Sequence, residues 1–238
     1  MVSPVYGKDS GWSRGMRSDT VEDYLKAIYE LQEKHGRAKT SALSARLGIT
    51  PGSVTDMLKR LAGQTPRLVR YQSHRGVTLT ARGSRKALTV IRRHRLLETF
   101  LHDVLGFAWD EVHAEAEQLE HCLSERLTEA LAAHLNHPAC DPHGDPIPSR
   151  AGEILMPAGR PLSQCPAGQP LQITRVRLQD QEALQYLARN AIRIGAVVTI
   201  VDKSPLDGQI SLEVRSGRKQ HVFSLGAAAS ADIEARLA

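Results

Sequence analysis

Apolar positions in the first two thirds of the chain recur with helical spacing, and near position 170 the spacing changes to that of strands. Between Thr20 and Lys34 they fall at Val21, Leu25, Ile28 and Leu31, one face of a helix. Asp19, with Glu22 three residues on, predicts a capped start. Two shorter helices are predicted next. One runs from Thr40 to Leu47 with Thr40 or Ser41 as cap; the other runs from Pro51 to Leu61 with proline in its first turn. Gly48-Ile49-Thr50 separates them, which makes a helix-turn-helix pattern. Arg67 to Leu79 reads as two short strands around Ser73-His74-Arg75-Gly76, a hairpin with a basic tip.

A long helix is predicted from Ala81 to about Leu105, capped by Thr80 and ended by Gly106. Asp110 is the predicted cap of a helix over Val112 to His121, and Ser124 opens another to about Leu135. Leu123, Leu127, Leu131 and Leu135 repeat every four residues, a stripe suited either to the core or to a dimer face. Pro138 to Pro170 is rich in Pro and Gly and reads as a linker with turns. Strand-period stretches follow at Leu171–Leu178, Ala196–Asp202, Ile210–Val214 and His221–Leu225, with a short helix at Gln181–Asn190. A β barrel of about 65–70 residues fits that spacing.

Composition narrows the function. The chain has 238 residues, enough for two or three small domains, and a net charge of +5. That excess points to nucleic acid before membrane, with ordinary surface charge as the alternative. No apolar run is long enough to span a bilayer, and the N-terminus lacks a signal-peptide core. The three cysteines, Cys122, Cys140 and Cys165, are odd in number and lack paired spacing, which suits a reducing cytoplasm. Residues 1–18 read as a flexible tail, whose Lys8, Arg14 and Arg17 could touch phosphate.

Two sets of residues carry candidate chemistry. In the helix-turn-helix, Val54, Leu58 and Leu61 face the core. Thr50, Gly52, Ser53, Thr55 and Asp56 place short polar groups where they can reach base edges, and Lys59 and Arg60 follow for phosphate. Thr40 joins this DNA-facing set, as do Arg70, His74 and Arg75 of the hairpin. A plain surface helix with a polar start is the alternative. The second set centres on His113, Glu117, Glu120 and His121. Their spacing of four, three and one puts nitrogen and oxygen donors on one helical stripe, suited to a divalent cation. His94 and Glu98, four apart on the preceding helix, are either further ligands or a packed histidine beside a solvated acid. Cys140, Asp141 and His143 are either ligands or polar residues of a Pro-rich turn.

These stretches together resemble the diphtheria toxin repressor family, in its manganese-responsive branch. The likeness runs from about Thr20 to the C-terminus. It is carried by Val-Glu-Asp23-Tyr-Leu-Lys-Ala-Ile-Tyr-Glu-Leu, Arg-His94-Arg-Leu-Leu-Glu98, His113-Ala-Glu-Ala-Glu117-Gln-Leu-Glu120-His121, Pro-His143-Gly-Asp-Pro-Ile-Pro and the β-rich tail. The resemblance implies a mainly α protein with a small β domain: an N-terminal winged helix-turn-helix (19–80), a helical metal-binding and dimerisation domain (81–150), a linker (151–170) and an SH3-like β barrel (171–238). It implies a homodimeric, metal-activated repressor of operator DNA, not an enzyme, with no small organic substrate. Mn2+ or Fe2+ would be the effector, two ions per subunit. Asp23, Glu117, Glu120 and His121 match the family's primary site. His94, Glu98, His113, Asp141 and His143 match a second site, with Cys140, Gln179 or Asp180 as further candidates. Iron-type members carry Met and Cys where this chain has Asp23 and Glu117, so its site is harder. Members with a two-metal cluster have a Glu where this chain has Lys26. The competing readings are a His/Glu di-metal enzyme, which lacks its second Glu-x-x-His motif here, and a winged-helix sensor of an organic ligand.

Overall fold

The computed structural model describes residues 18–216 and 219–238; the tail with Lys8, Arg14 and Arg17 lies outside them. The chain divides into two compact units between Ala87 and Leu88.

In the first unit α1 spans Ser18–His35, α2 Thr40–Leu47 and α3 Pro51–Gly63. Asp19 lies inside the first turn of α1 and is not its cap, though an acid there complements the helix dipole. Lys39, and neither Thr40 nor Ser41, is the residue before α2; extended backbone at Lys39 starts the helix without a side-chain cap. Gly48 ends α2 in the left-handed conformation, φ 65°. Thr50 caps α3, its hydroxyl accepting from the Ser53 N–H at 3.3 Å. Strands β1 (Val69–Gln72) and β2 (Gly76–Leu79) pair antiparallel from Val69↔Leu79 to Gln72↔Gly76. Ala38 bridges to Val77 and extends this hairpin. Leu25, Ile28, Leu43, Val54, Leu58, Leu61, Val69 and Val77 close the core. Each buried Leu or Ile contributes roughly 1.5–3 kcal/mol of transfer free energy.

Helix α4, Ala81–Asp103, continues into the second unit; Thr80 caps it, accepting from the Gly83 N–H at 3.1 Å. It stops short of Leu105, and Gly106 takes φ 75° in the turn beyond. The expected helix over Val112 to His121 is two pieces: α5, Val112–Leu119, then a tighter 3-10 turn over Glu120–Cys122. Its cap position is Glu111, because the Asp110 carboxylate is engaged elsewhere, accepting from Gln185 Nε2 at 2.9 Å. Helix α6, Glu125–His134, is capped by Ser124. The leucine stripe splits. Leu123 and Leu131 pack with Leu97 and Ala116, and Leu135 with Leu96, Ala132 and Ile147. Leu127 is 49% exposed, so only it faces outward.

The remainder is an antiparallel sheet in the order β3-β8-β4-β5-β6-β7. Its strands are β3 (Arg160–Pro161), β4 (Pro170–Val176), β5 (Val197–Lys203), β6 (Ile210–Ser216), β7 (Lys219–Leu225) and β8 (Ile233–Leu237), with α7 (Gln181–Arg189) and α8 (Ala227–Ala231) between strands. β3 lies in the stretch expected as linker and pairs with β8, a strand without a clear sequence signal. Leu171, Ile173, Val176, Leu184, Leu187, Val198, Ile200, Leu212 and Ile233 form the core, and Trp109, just before α5, packs into it. The sheet is thereby tied to the helices of the same unit.

Candidate metal centre

Three segments of the second unit converge. Helix α4 carries His94 and Glu98 one turn apart, α5 carries His113, and residues 139–147 form a strap holding Asp141 and His143. Among the described residues these donors fall into two triads that share Glu98: His94, Glu98 and His113, and Glu98, Asp141 and His143. His94 Nε2 lies 2.9 Å from Glu98 Oε1 and 3.0 Å from His113 Nδ1, and His113 Nδ1 lies 3.0 Å from Glu98 Oε1. His143 Nδ1 is 3.9 Å from the same oxygen.

Neighbours on the far side fix each imidazole. His94 Nδ1 donates to Glu120 Oε2 at 2.5 Å, which leaves Nε2 as the inward lone pair when the ring is neutral. His143 Nε2 meets the Trp109 carbonyl at 2.8 Å; a carbonyl only accepts, so that nitrogen carries the proton and Nδ1, on the Glu98 side, holds the lone pair when the ring is neutral. Trp109 also lies against the His143 ring, centroids 5.7 Å apart. Such outer partners set tautomer and aim in metal-binding histidines.

The strap is held from its own backbone. Asp141 Oδ1 accepts from the N–H groups of His143 and Asp145, both at 2.9 Å, and Oδ2 faces Arg95 Nε at 3.7 Å. Asp145 accepts from Arg175 Nε at 2.7 Å and is also bonded by Arg175 Nη2. Glu234 of β8 pairs with Arg177 and lies 3.8 Å from Arg175 Nη1. Gly144 sits at φ 81°, where an added Cβ would collide with the Thr174 carbonyl of β4. The Val176 N–H donates to the His143 carbonyl at 2.8 Å. Helix α4, strap and sheet are therefore one polar framework.

Electrostatics inside the cluster are uneven. Burial raises the Glu98 carboxyl, but the His94 charge, hydrogen bonds from His113 and His94, and the His143 charge outweigh it and hold the group well below the usual carboxylate range. Burial, then the charges of Glu98 and Asp145, push Asp141 well above its ordinary value against Arg95 and the Asp145 N–H. Two buried acids in contact with three imidazoles form a site short of positive charge.

Other expected ligands sit as follows. Glu117 lies on α5, with Oε1 3.5 Å from His113 Nε2. Glu120 and His121 lie in the 3-10 turn, 3.6 Å apart. Asp23 lies on α1 of the first unit. No His/Cys/Asp/Glu triad among the described residues contains Cys140 or Asp180. Burial, then Asp141 and Asp145, raise the Cys140 thiol and disfavour its thiolate. Asp180 caps α7, accepting from the Ala183 N–H at 2.9 Å, and Gln179 immediately precedes it. Reading the sequence overlooked Arg95, Asp145, Arg175 and the Trp109 carbonyl, because each acts through a partner distant in sequence. In the first unit Thr50, Gly52, Ser53, Lys59 and Arg60 of the α3 region are exposed, as are His74 and Arg75 at the hairpin tip, with His74 at φ 61°. The Thr55 hydroxyl donates to the Pro51 carbonyl, and Thr40 is half-buried in the first turn of α2.

Comparison with known proteins decides the family. Residues 16–77 match the iron dependent repressor N-terminal DNA binding domain, residues 80–149 the iron dependent repressor metal binding and dimerisation domain, and residues 160–236 the FeoA domain. The iron-dependent repressor IdeR of Mycobacterium leprae is 34% identical over 79% of this chain and 85% of its own length. The chain belongs to the iron-dependent, or diphtheria toxin, repressor family. The diphtheria toxin repressor of Corynebacterium diphtheriae is 30% identical over 82% of this chain and 88% of its own. A manganese-dependent transcriptional repressor in complex with manganese superposes with TM-score 0.84 at 37% identity, covering 92% of this chain and all of that one. The manganese regulator SloR gives TM-score 0.75 at 28% identity, over 92% and 98% of the two chains. As a member of this family the chain is a metal-dependent, DNA-binding transcriptional repressor with a winged helix-turn-helix, a helical metal-binding region and a C-terminal FeoA domain.

Proposed function

We propose that this repressor is a cytoplasmic homodimer that binds operator DNA in response to Mn2+ or Fe2+, and that it has no enzymatic role. The observation that carries the reading is the donor set gathered in the second unit, three imidazoles and two carboxylates with no thiol among them. Hard N/O donors favour Mn2+ or Fe2+ over thiophilic metals, though Zn2+ and Ni2+ should also bind tightly in vitro by the Irving–Williams order.

The family correspondence supports a primary site built from Asp23, Glu117, Glu120 and His121, and a second from His94, Glu98, His113, Asp141 and His143. Asp23 belongs to the DNA-binding region and the other three primary ligands to the dimerisation region. Without a cation their three carboxylates repel. The bound ion supplies the positive charge that turns this repulsion into attraction. Asp23, held beside Glu117, Glu120 and His121, then fixes the angle of the DNA-binding region on the dimer. In a two-fold dimer that angle sets the distance between the two α3 helices, which has to be ~34 Å to enter successive major grooves. Metal and operator consequently favour each other's binding by the same factor.

In α3, Thr50, Gly52, Ser53 and Thr55 would read base edges, and Lys59, Arg60, His74 and Arg75 would hold phosphate. The domain limits 19–80, 81–150 and 171–238 remain the proposed division. A gel shift on a metal-transporter promoter, with and without Mn2+, tests the reading. A metal-dependent shift is expected; binding that ignores metal would contradict it.

A further inference from the structure

The two triads around Glu98 differ from the shell of a single ion. His94 Nε2, His113 Nδ1 and Glu98 Oε1 form a nearly equilateral triangle with edges of 2.9, 3.0 and 3.0 Å. Divided by the square root of two, such an edge corresponds to one face of an octahedron with bonds of ~2.1 Å, the usual length for small divalent cations on N and O ligands. His143 Nδ1 stands 3.9 Å from the same Glu98 oxygen. Glu98, Asp141 and His143 make a second triad of donors within 4.8 Å of one another, grouped apart from that of His94 and His113.

Asp141 and His143 belong to a separate support. Their strap is held by Trp109, Arg95 and Arg175, whereas the first triad is held by Glu120 and the backbones of α4 and α5. Asp141 keeps Oδ1 on two N–H groups, and Arg95 Nε lies 3.7 Å from Oδ2 as a partial counter-charge. Both inward imidazole nitrogens, His94 Nε2 and His143 Nδ1, approach Glu98 from opposite supports with their outer nitrogens bonded. Glu98 is the one residue common to both triads.

We infer that the second site holds a pair of divalent cations bridged by the Glu98 carboxylate, one on His94 and His113 and the other on Asp141 and His143. This rests on reading the cluster as the second metal site, and it raises the number of ions per chain above one for each site. A carboxylate shared by two cations is the arrangement of two-metal centres, where ions sit ~3.5–4 Å apart. Because the ions stand on different supports, one rests on the helices and the other on the strap that docks the sheet. Filling the pair therefore locks the sheet to the helical core.

The test is electron paramagnetic resonance of the Mn2+-loaded protein, with ions per chain counted by mass spectrometry. The wild type is expected to show an exchange-coupled Mn–Mn signal. His113→Ala and His143→Ala should each lose one ion and the coupled signal, leaving only isolated six-line signals, that of the primary-site ion among them. Glu98→Ala should lose both ions. If circular dichroism shows that His143→Ala fails to fold, the isosteric Asp141→Asn removes the same ion. An uncoupled wild-type signal, with His113→Ala and His143→Ala each abolishing one and the same ion, would overturn the pair and leave a one-ion second site standing. An ion count unchanged by Glu98→Ala would overturn the pair and the second-site reading together.

Discussion

His94 donates from Nδ1 to Glu120 Oε2 at 2.5 Å, and the same ring faces Glu98 from Nε2 at 2.9 Å. One imidazole thus joins a carboxylate assigned to the primary site with a carboxylate of the second. Removing Glu120 should therefore weaken both sites, whereas removing Glu117, whose contact with His113 Nε2 is longer at 3.5 Å, should weaken the second site less. Loss of an outer partner typically costs about 10–100-fold in metal affinity. Calorimetric Mn2+ titration of Glu120→Ala and Glu117→Ala checks this; second-site affinity falling equally in both variants would contradict it.

The buried Asp145–Arg175 pair ties the strap to β4, both side chains being 11% exposed. Breaking such a pair from one side costs about 3–5 kcal/mol, because the remaining charge stays buried and unmatched. Arg175→Met and Asp145→Asn are each expected to destabilise the second unit by that order in urea unfolding, and the double variant by less than the sum.

Gly144 is required twice, for its positive φ and for its close approach to the Thr174 carbonyl. Gly144→Ala should displace the strap and with it Asp141 and His143. The expected result is lost binding at Asp141 and His143, with the His94–His113 ligands and the thermal transition of the first unit unaltered. Metal titration followed by Trp109 fluorescence reads the change, in a Trp12→Phe background, since Trp109 lies against His143.

Lys59 and Arg60 are exposed beyond the polar start of α3. As phosphate contacts they should contribute affinity without sequence preference. Lys59→Ala and Arg60→Ala are each expected to weaken specific and unrelated DNA alike and to lower the slope of log K against log salt by about 1. A variant that changes operator preference with an unaltered salt slope would assign the residue to base reading.

Local chemistry explains which parts were legible in the sequence. The winged helix was, because Leu25, Ile28, Val54, Leu58 and Leu61 keep strict helical spacing and Thr50-Pro51 marks a helix start. Asp141 and His143 could be paired with Glu98 only through the resemblance, since over forty positions separate them. The 3-10 turn at Glu120 has no local signal. Strand β8, Ile-Glu-Ala-Arg-Leu, alternates apolar and polar residues over only five positions, too short a run to tell from a turn of helix, and Glu234 is buried against Arg175 and Arg177. The Asp110 carboxylate is taken by Gln185, 75 positions away, a partner that no local pattern shows. Arg95, Asp145 and Arg175 have no local signal, because they act only as a network.

The central claim is that Asp23 converts metal binding into operator binding. Fluorescence anisotropy of labelled operator DNA, titrated with wild type and Asp23→Ala at increasing Mn2+, tests it most directly. The account predicts that Mn2+ tightens wild-type binding by about 5–150-fold, the range of ordinary allosteric coupling, and leaves Asp23→Ala unresponsive with its fold intact. An Asp23→Ala protein that responds to Mn2+ like the wild type would contradict it.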